Sequence, residues 1–261
     1  MFDLGSLGGT GATATAINSR DDVVGYAYTA AGETHGFLWE QGVMSDLGSL
    51  GGTEALALAI NSTGEVAGFS NPPSGWFHAF LWRKGVMTDL GTLGGVTSTA
   101  TGINNAGHVV GYSTPLSSVD HAFLWKDGVM TDLGTLGGPN SVAFGINDRD
   151  QVVGDADTAD ASGSSGPHAF LWHDGVMTDL GTLGQAYSFA TAINSNGMVV
   201  GYSLTHSFYY HAFVWSDGVM TDLGTLGGNF SYAQALNDAG QIVGFSTTAS
   251  EETHAVRWVK Q

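Results

Sequence analysis

The segment Asp-Leu-Gly-Ser/Thr-Leu-Gly begins at Asp3, Asp46, Asp89, Asp132, Asp179 and Asp222, at intervals of 43, 43, 43, 47 and 43 residues. A spacing this long and this regular means one supersecondary unit used six times, each copy burying its apolar surface against a neighbour. It also sorts the residues. Positions filled alike in every copy are expected to hold the fold, and positions that differ are where a specific chemistry has room.

The third copy shows what the unit is. Thr99–Asn104 is a short extended run, and Asn105, Ala106 and Gly107 follow as a turn. Val109–Ser113 and His121–Trp125 are two further runs, separated by a variable segment that reaches Asp120. Lys126, Asp127 and Gly128 turn the chain into a fourth run, Val129–Gly134. Short β-branched and aromatic runs bounded by Gly, Asn and Asp read as strands of an antiparallel meander. Four strands in about 43 residues make the blade of a β-propeller. Forty glycines and the lack of any helical periodicity exclude a helical solenoid. The expectation is an all-β, six-bladed β-propeller of four-stranded blades, one domain spanning residues 1–261. Its last unit ends at Gln261 before a fourth strand, and Met1–Gly5 carries the pattern of one. The N-terminal strand is therefore expected to complete the last blade and close the ring, hiding two strand edges.

These units resemble the HAF repeat family. The tripeptide that names it stands at His78-Ala79-Phe80, His121-Ala122-Phe123, His168-Ala169-Phe170 and His211-Ala212-Phe213. It is varied to His35-Gly36-Phe37 and His254-Ala255-Val256, and the following Leu-Trp and the DLGTLGG segment match as well. The resemblance implies an exported bacterial protein, extracellular or periplasmic, and no particular activity. No basic-then-apolar signal segment precedes Asp3, which reads as a mature or trimmed form.

Composition narrows the partners. A formal net charge of −17 with seven Lys plus Arg argues against nucleic acid and anionic membranes, since phosphate contacts need clustered cations. No apolar stretch reaches the roughly 18 residues of a membrane helix. The absence of cysteine removes thiolate nucleophiles and thiolate metal sites. A soluble monomer with a carbohydrate or other small-molecule ligand is the expectation.

Recurring side chains are assigned to architecture. The six HAF-position histidines are too far apart in a ring to share one ion, so each is expected to bond a turn carbonyl or the repeated Asp. The tryptophans at 39, 82, 125, 172, 215 and 258 are expected to fill the core between blades. Asn18, Asn61, Asn104, Asn147, Asn194 and Asn237 are expected to cap turns. The glycine runs lack the Lys-Ser/Thr of a phosphate loop.

What differs between copies is the segment between the second and third strands, for example Ser70–Phe77 and Ala156–Pro167. Variation confined to one end of a repeat array marks a binding face. Trp76, Phe77, Tyr187, Tyr209, Tyr210, Phe230 and Tyr232 supply aromatic surface there, and Glu54, Asp155, Asp157 and Glu251 supply carboxylates. Rings stacking on C–H faces and carboxylates accepting from hydroxyls are what sugar recognition uses. Binding is the primary expectation. The alternative is a glycoside hydrolase or lyase with catalytic residues among Glu54, Asp155, Asp157, Glu251 and His206, a pair of acids being needed about 5 to 9 Å apart. Asp155, Asp157 and Asp160 in the four-residue insertion form an oxygen-rich set that suits Ca2+, though their spacing is not that of an EF-hand. No other cofactor is expected.

Overall fold

The computed structural model describes residues 1–116, 119–159 and 166–259. Among these residues there are 23 β-strands and no helix. The chain divides into two compact units, Met1–Asp132 and Leu133–Gln261.

The first unit holds three sheets of four strands. They are β1 (Gly8–Ile17), β2 (Val23–Thr29), β3 (Thr34–Glu40) and β4 (Val43–Asp46); β5 (Ala55–Ile60), β6 (Val66–Ser70), β7 (His78–Arg83) and β8 (Val86–Asp89); and β9 (Gly94–Ile103), β10 (Val109–Pro115), β11 (His121–Lys126) and β12 (Val129–Asp132). The second unit continues the pattern with β13 (Gly137–Ile146), β14 (Val152–Thr158), β15 (Pro167–His173) and β16 (Val176–Asp179), then β17 (Gly184–Ile193), β18 (Val199–Thr205), β19 (Tyr210–Ser216) and β20 (Val219–Asp222). Its last sheet has three strands, β21 (Gly227–Leu236), β22 (Ile242–Thr248) and β23 (Thr253–Trp258). Every sheet is an antiparallel meander in sequence order.

Local chemistry explains the meander. The turn from third to fourth strand is a two-residue one, as at Asp127-Gly128, where φ is 52° and 84°. Two successive positive φ values are what a type I′ hairpin turn demands, and Gly in second place meets that demand. First strands start earlier than the sequence pattern suggests: β9 begins at Gly94, where residue 99 was expected. The Gly-Gly pair extends the strand because Gly95 lies against the Thr114 carbonyl, where a Cβ would collide.

Packing between sheets repeats as well. Val24, Leu38 and Leu47 of the first sheet and its connection meet Ala57, Val66 and Phe80 of the second. Ala67, Leu81 and Leu90 then meet Ala100, Val109 and Phe123 of the third. In the second unit Val153, Ala169 and Leu180 meet Ala190, Val199 and Phe213. The fully buried anchors are thus the phenylalanines of the tripeptide, Phe37, Phe80, Phe123, Phe170 and Phe213. The tryptophans, expected to fill this core, pack against the clusters while staying half-buried, as Trp82, Trp125, Trp215 and Trp258 do.

The repeated asparagines do more than cap. The Asn61 Oδ1 accepts from the Thr63 and Glu65 amides at 3.0 and 2.9 Å, which is the expected cap. Its Nδ2 also donates to the carbonyl of Asn104, the same position one sheet on, at 2.9 Å. Asn18 reaches the Asn61 carbonyl, Asn147 that of Asn194, and Asn194 that of Asn237. The result is a ladder of amides through each unit. The expected fourth strand of the sixth sheet is not seen among the described residues: that sheet has three strands, residues 1–6 lie in no strand, and Met1 and Phe2 are exposed.

Asn61→Ala strands a buried carbonyl and two amides, and is expected to cost about 2–3 kcal/mol. Urea denaturation checks it. The turn variant Ser62→Ala, which loses one hydroxyl bond to Asn105 but keeps the ladder, is expected to cost clearly less.

Candidate functional site

In four of the six sheets the end that carries the second-to-third loop is braced by a buried serine, Ala27 and Ala156 taking its place in the first and fourth. Ser70 Oγ accepts from the Leu50 amide and donates to the Glu54 carbonyl, both at 2.9 Å. Ser113, Ser203 and Ser246 repeat the pattern, the last two donating to the carbonyls of Tyr187 and Phe230. The brace fastens the sheet-to-sheet connection beside the variable loop, so both present side chains at one end. The sequence reading passed over these serines, although their recurrence one residue after the second-strand aromatic was visible.

The repeated histidines pair with the repeated aspartates. Nδ1 to Oδ2 distances are 2.9 Å for His35–Asp46, His78–Asp89 and His168–Asp179, and 2.8 Å for His121–Asp132 and His211–Asp222. Burial alone would push the Asp179 carboxyl up. Its bonds from His168 and the Gly181 amide outweigh burial and hold it below the ordinary carboxylate value. In the three-stranded last sheet His254 instead has Glu252 as its acidic neighbour, 3.9 Å away.

The candidate site residues fall in both units. In the first, Glu54 is exposed, with its backbone fixed by Ser70 and Asn71. Trp76 is exposed in the β6–β7 loop, and Phe77 packs edge-on against Phe69 with centroids 5.1 Å apart. In the second unit, Tyr187, Tyr210, Phe230 and Tyr232 stand on strands, not in loops. Asp155 and Asp157 also lie on a strand, β14, with their side chains on one face. This corrects their placement in the inserted loop, because the alternation Val-Val-Gly-Asp-Ala-Asp-Thr carries the strand through them. Asp160 lies outside the described residues. No group of three acidic or histidine side chains poised for a metal occurs among the described residues.

One cleft gathers several of these side chains. Asn229, Phe230, Thr247 and Glu251 line a cavity of about 210 Å³ in the second unit. Phe230 meets Tyr209 edge to face, with centroids 5.3 Å apart and planes at 87°. Thr247 Oγ1 accepts from the Phe230 amide at 2.9 Å, fixing the ring's backbone. Glu251 has φ 64°, and Phe208, in the corresponding place one sheet earlier, has φ 62°. In the first sheet that place is filled by Gly32, at φ 85°. A bulky residue held in the left-handed region carries strain that the bend must impose, and such positions concentrate at functional sites. His206 is exposed and lies over Gly184, which has no side chain to displace it.

A second cluster lies deeper. Phe189, Tyr202, Tyr232 and Phe245 form a continuous row with successive centroids 4.9, 4.8 and 4.8 Å apart, flanked by Tyr210. The Asp155 carboxyl is close enough to raise the Tyr202 hydroxyl beyond what burial does. Burial, and then the charge of Asp157, push Asp155 itself up to about 7.

Similarity to known proteins supports the fold and goes no further. The sequence matches no protein-family model and no curated protein. Among solved structures, the chain is similar to the β-propeller domain of the Trilobed protease from Pyrococcus furiosus, described as having an open velcro topology. The TM-score there is 0.66 at 9% identity, covering 96% of this chain and 82% of that one. It is also similar to a puromycin-hydrolyzing peptidase of Mycobacterium tuberculosis, with TM-score 0.56, 13% identity, and coverage of 95% and 43%. TolB from Acinetobacter baumannii aligns with TM-score 0.52 at 10% identity, covering 92% and 64%. The chain therefore has a β-propeller type of fold made of six antiparallel sheets.

Asp155 also makes a stability prediction. Its folded pKa lies above the unfolded value, so the stability tied to its protonated form is present at acid pH and lost as pH rises through about 7. The stability of Asp155→Asn relative to the natural chain is expected to rise between pH 5 and 8. Urea midpoints across that range measure it, and a flat difference would contradict the burial of this carboxyl.

Proposed function

We propose that the protein is a recognition module that binds carbohydrate at its loop-bearing end. The observation that carries the reading is the Phe230 cleft. An exposed ring, braced edge-on by Tyr209, adjoins a carboxylate, an amide and a hydroxyl, with no cation in the lining. A sugar's C–H face stacks on such a ring, and its hydroxyls bond to the polar rim. Glu251 is the one carboxylate among the described residues of that lining, whereas glycosidic hydrolysis ordinarily takes two. This favours binding over turnover.

The reading extends to the whole chain. We read the six sheets as blades of one closed ring, with Met1–Gly5 as the missing strand, and the protein as a monomeric, exported bacterial member of the HAF repeat family. Three features support closure. The free edge of β23 has no neighbour in its sheet, Val243 is 46% exposed where Val153 and Val200 are fully buried, and Asp3 stands where the other units place the partner of a histidine.

On a glycan array the protein is expected to retain a subset of neutral glycans. Phe230→Ala and Glu251→Gln are each expected to weaken that binding at least tenfold in calorimetry, with unchanged circular dichroism. Retention at full affinity by both variants would overturn the assignment of the cleft. Release of reducing ends from a bound glycan would move the reading to an enzyme. For closure, Asp3→Ala is expected to lower the melting temperature about as much as Asp46→Ala, and no effect would refute the strand assignment.

A further inference from the structure

The fourth residue of the second strand is aromatic in five sheets: Tyr26, Phe69, Tyr112, Tyr202 and Phe245. In the remaining sheet it is Asp155. The exception has a geometric consequence. Tyr202 meets Tyr232, which belongs to the first strand of the next sheet, with centroids 4.8 Å apart and planes tilted by 57°. Residues 155 and 189 occupy those same two positions one sheet earlier, so a ring at 155 would extend the row past Phe189. A carboxyl there ends the row.

The carboxyl is also uncommitted. Asp157, on the same face of β14, accepts from the Asn140 amide and side chain at 3.3 and 2.7 Å. No hydrogen bond from a described residue reaches Asp155. Since no buried side-chain oxygen or nitrogen among the described residues lacks a partner, its oxygens open to solvent. The strands on either side contribute apolar Val142 and Ala169 opposite it. The titratable groups beside it are Asp157 on its own strand and Tyr202 on β18. No lysine or arginine is among its charged neighbours.

We propose that Asp155 and the end of the aromatic row form a binding site for a planar guanidinium group. A guanidinium is flat, stacks on an aromatic face and presents paired N–H donors to a carboxylate. A tetrahedral ammonium has the charge without the flat face. The chain's net charge of −17 draws cations toward the site. Binding ionises a carboxyl that burial and Asp157 hold near 7 in the free protein, so uptake releases a proton. This site is separate from the Phe230 cleft and does not rest on the carbohydrate reading.

Calorimetry on the intact chain at low ionic strength tests it, with methylguanidinium chloride as probe and methylammonium chloride as comparator. Methylguanidinium is expected to bind at least tenfold more tightly than methylammonium. Its affinity is expected to fall about tenfold from pH 8 to pH 6, as the ionised fraction of a group titrating near 7 falls. Asp155→Asn is expected to lose at least tenfold. Asp155→Tyr, which restores the ring of the other sheets, is expected to abolish uptake while raising the melting temperature, so loss of binding cannot be assigned to unfolding. A Gly-Arg-Gly peptide decides the source: tighter binding than methylguanidinium identifies an arginine side chain of a partner, and weaker binding a free small molecule. Equal affinity for the two cations, pH-independent uptake, or full binding by Asp155→Asn would overturn the proposal.

Discussion

Within each unit, one sheet is completed by the next. A phenylalanine at the centre of one third strand, such as Phe80, is buried only because the preceding sheet offers Val24 and Leu38 to cover it. The same sheet, from its other face, presents Ala67 and Leu81 to Phe123. The second and fifth sheets, each in the middle of its unit, are thus not amphipathic in the ordinary sense of one wet and one dry face; both of their faces are committed, and stability comes from nearest neighbours.

Polar contacts follow the same logic. The asparagine amides hand one hydrogen bond forward at the turn end of the sheets, and serines do so near the loop end: Ser98, in the third sheet, takes the Ala79 amide of the second at 2.8 Å. The repeated histidine and aspartate stay within one sheet, tying third strand to fourth and then, through the Gly amide, to the connection beyond. With both ends of a sheet pinned, the side chains emerging from the loop end are held by a rigid frame. That is the requirement for a site whose rings must be placed to within fractions of an ångström.

Much of this was legible in the sequence. The 43-residue spacing and the Gly-rich turns specify a meander, and the recurrence of His eleven residues before Asp anticipates their pairing. Other parts were hidden because pattern does not report direction. Asn61 looks like a turn cap, and nothing in its spacing says that its amide also reaches a carbonyl 43 residues away. Trp82 is the larger ring, yet it stays half-buried against the cluster in which Phe80 is fully buried. The site shows the same limit. Aromatic and acidic residues of the variable end could be enumerated, but not which of them meet. Phe230 and Tyr209 do meet, whereas Asp155 proved to be a strand residue interrupting an aromatic row. Its departure from the repeat was readable all along, by aligning the copies and not the loops.

The left-handed bend shared by Gly32, Phe208 and Glu251 bears on how such a surface changes over evolutionary time. The bend is set by backbone bonds between Thr and the residue four positions on, as from Thr205 to Tyr209 and Thr248 to Glu252. Its third residue is thrust outward whatever its identity. A single codon at that position can thus exchange a bare backbone for a ring or a carboxylate without redesigning the loop. Six copies of one unit can thus carry different side chains at a single exposed address while sharing one frame.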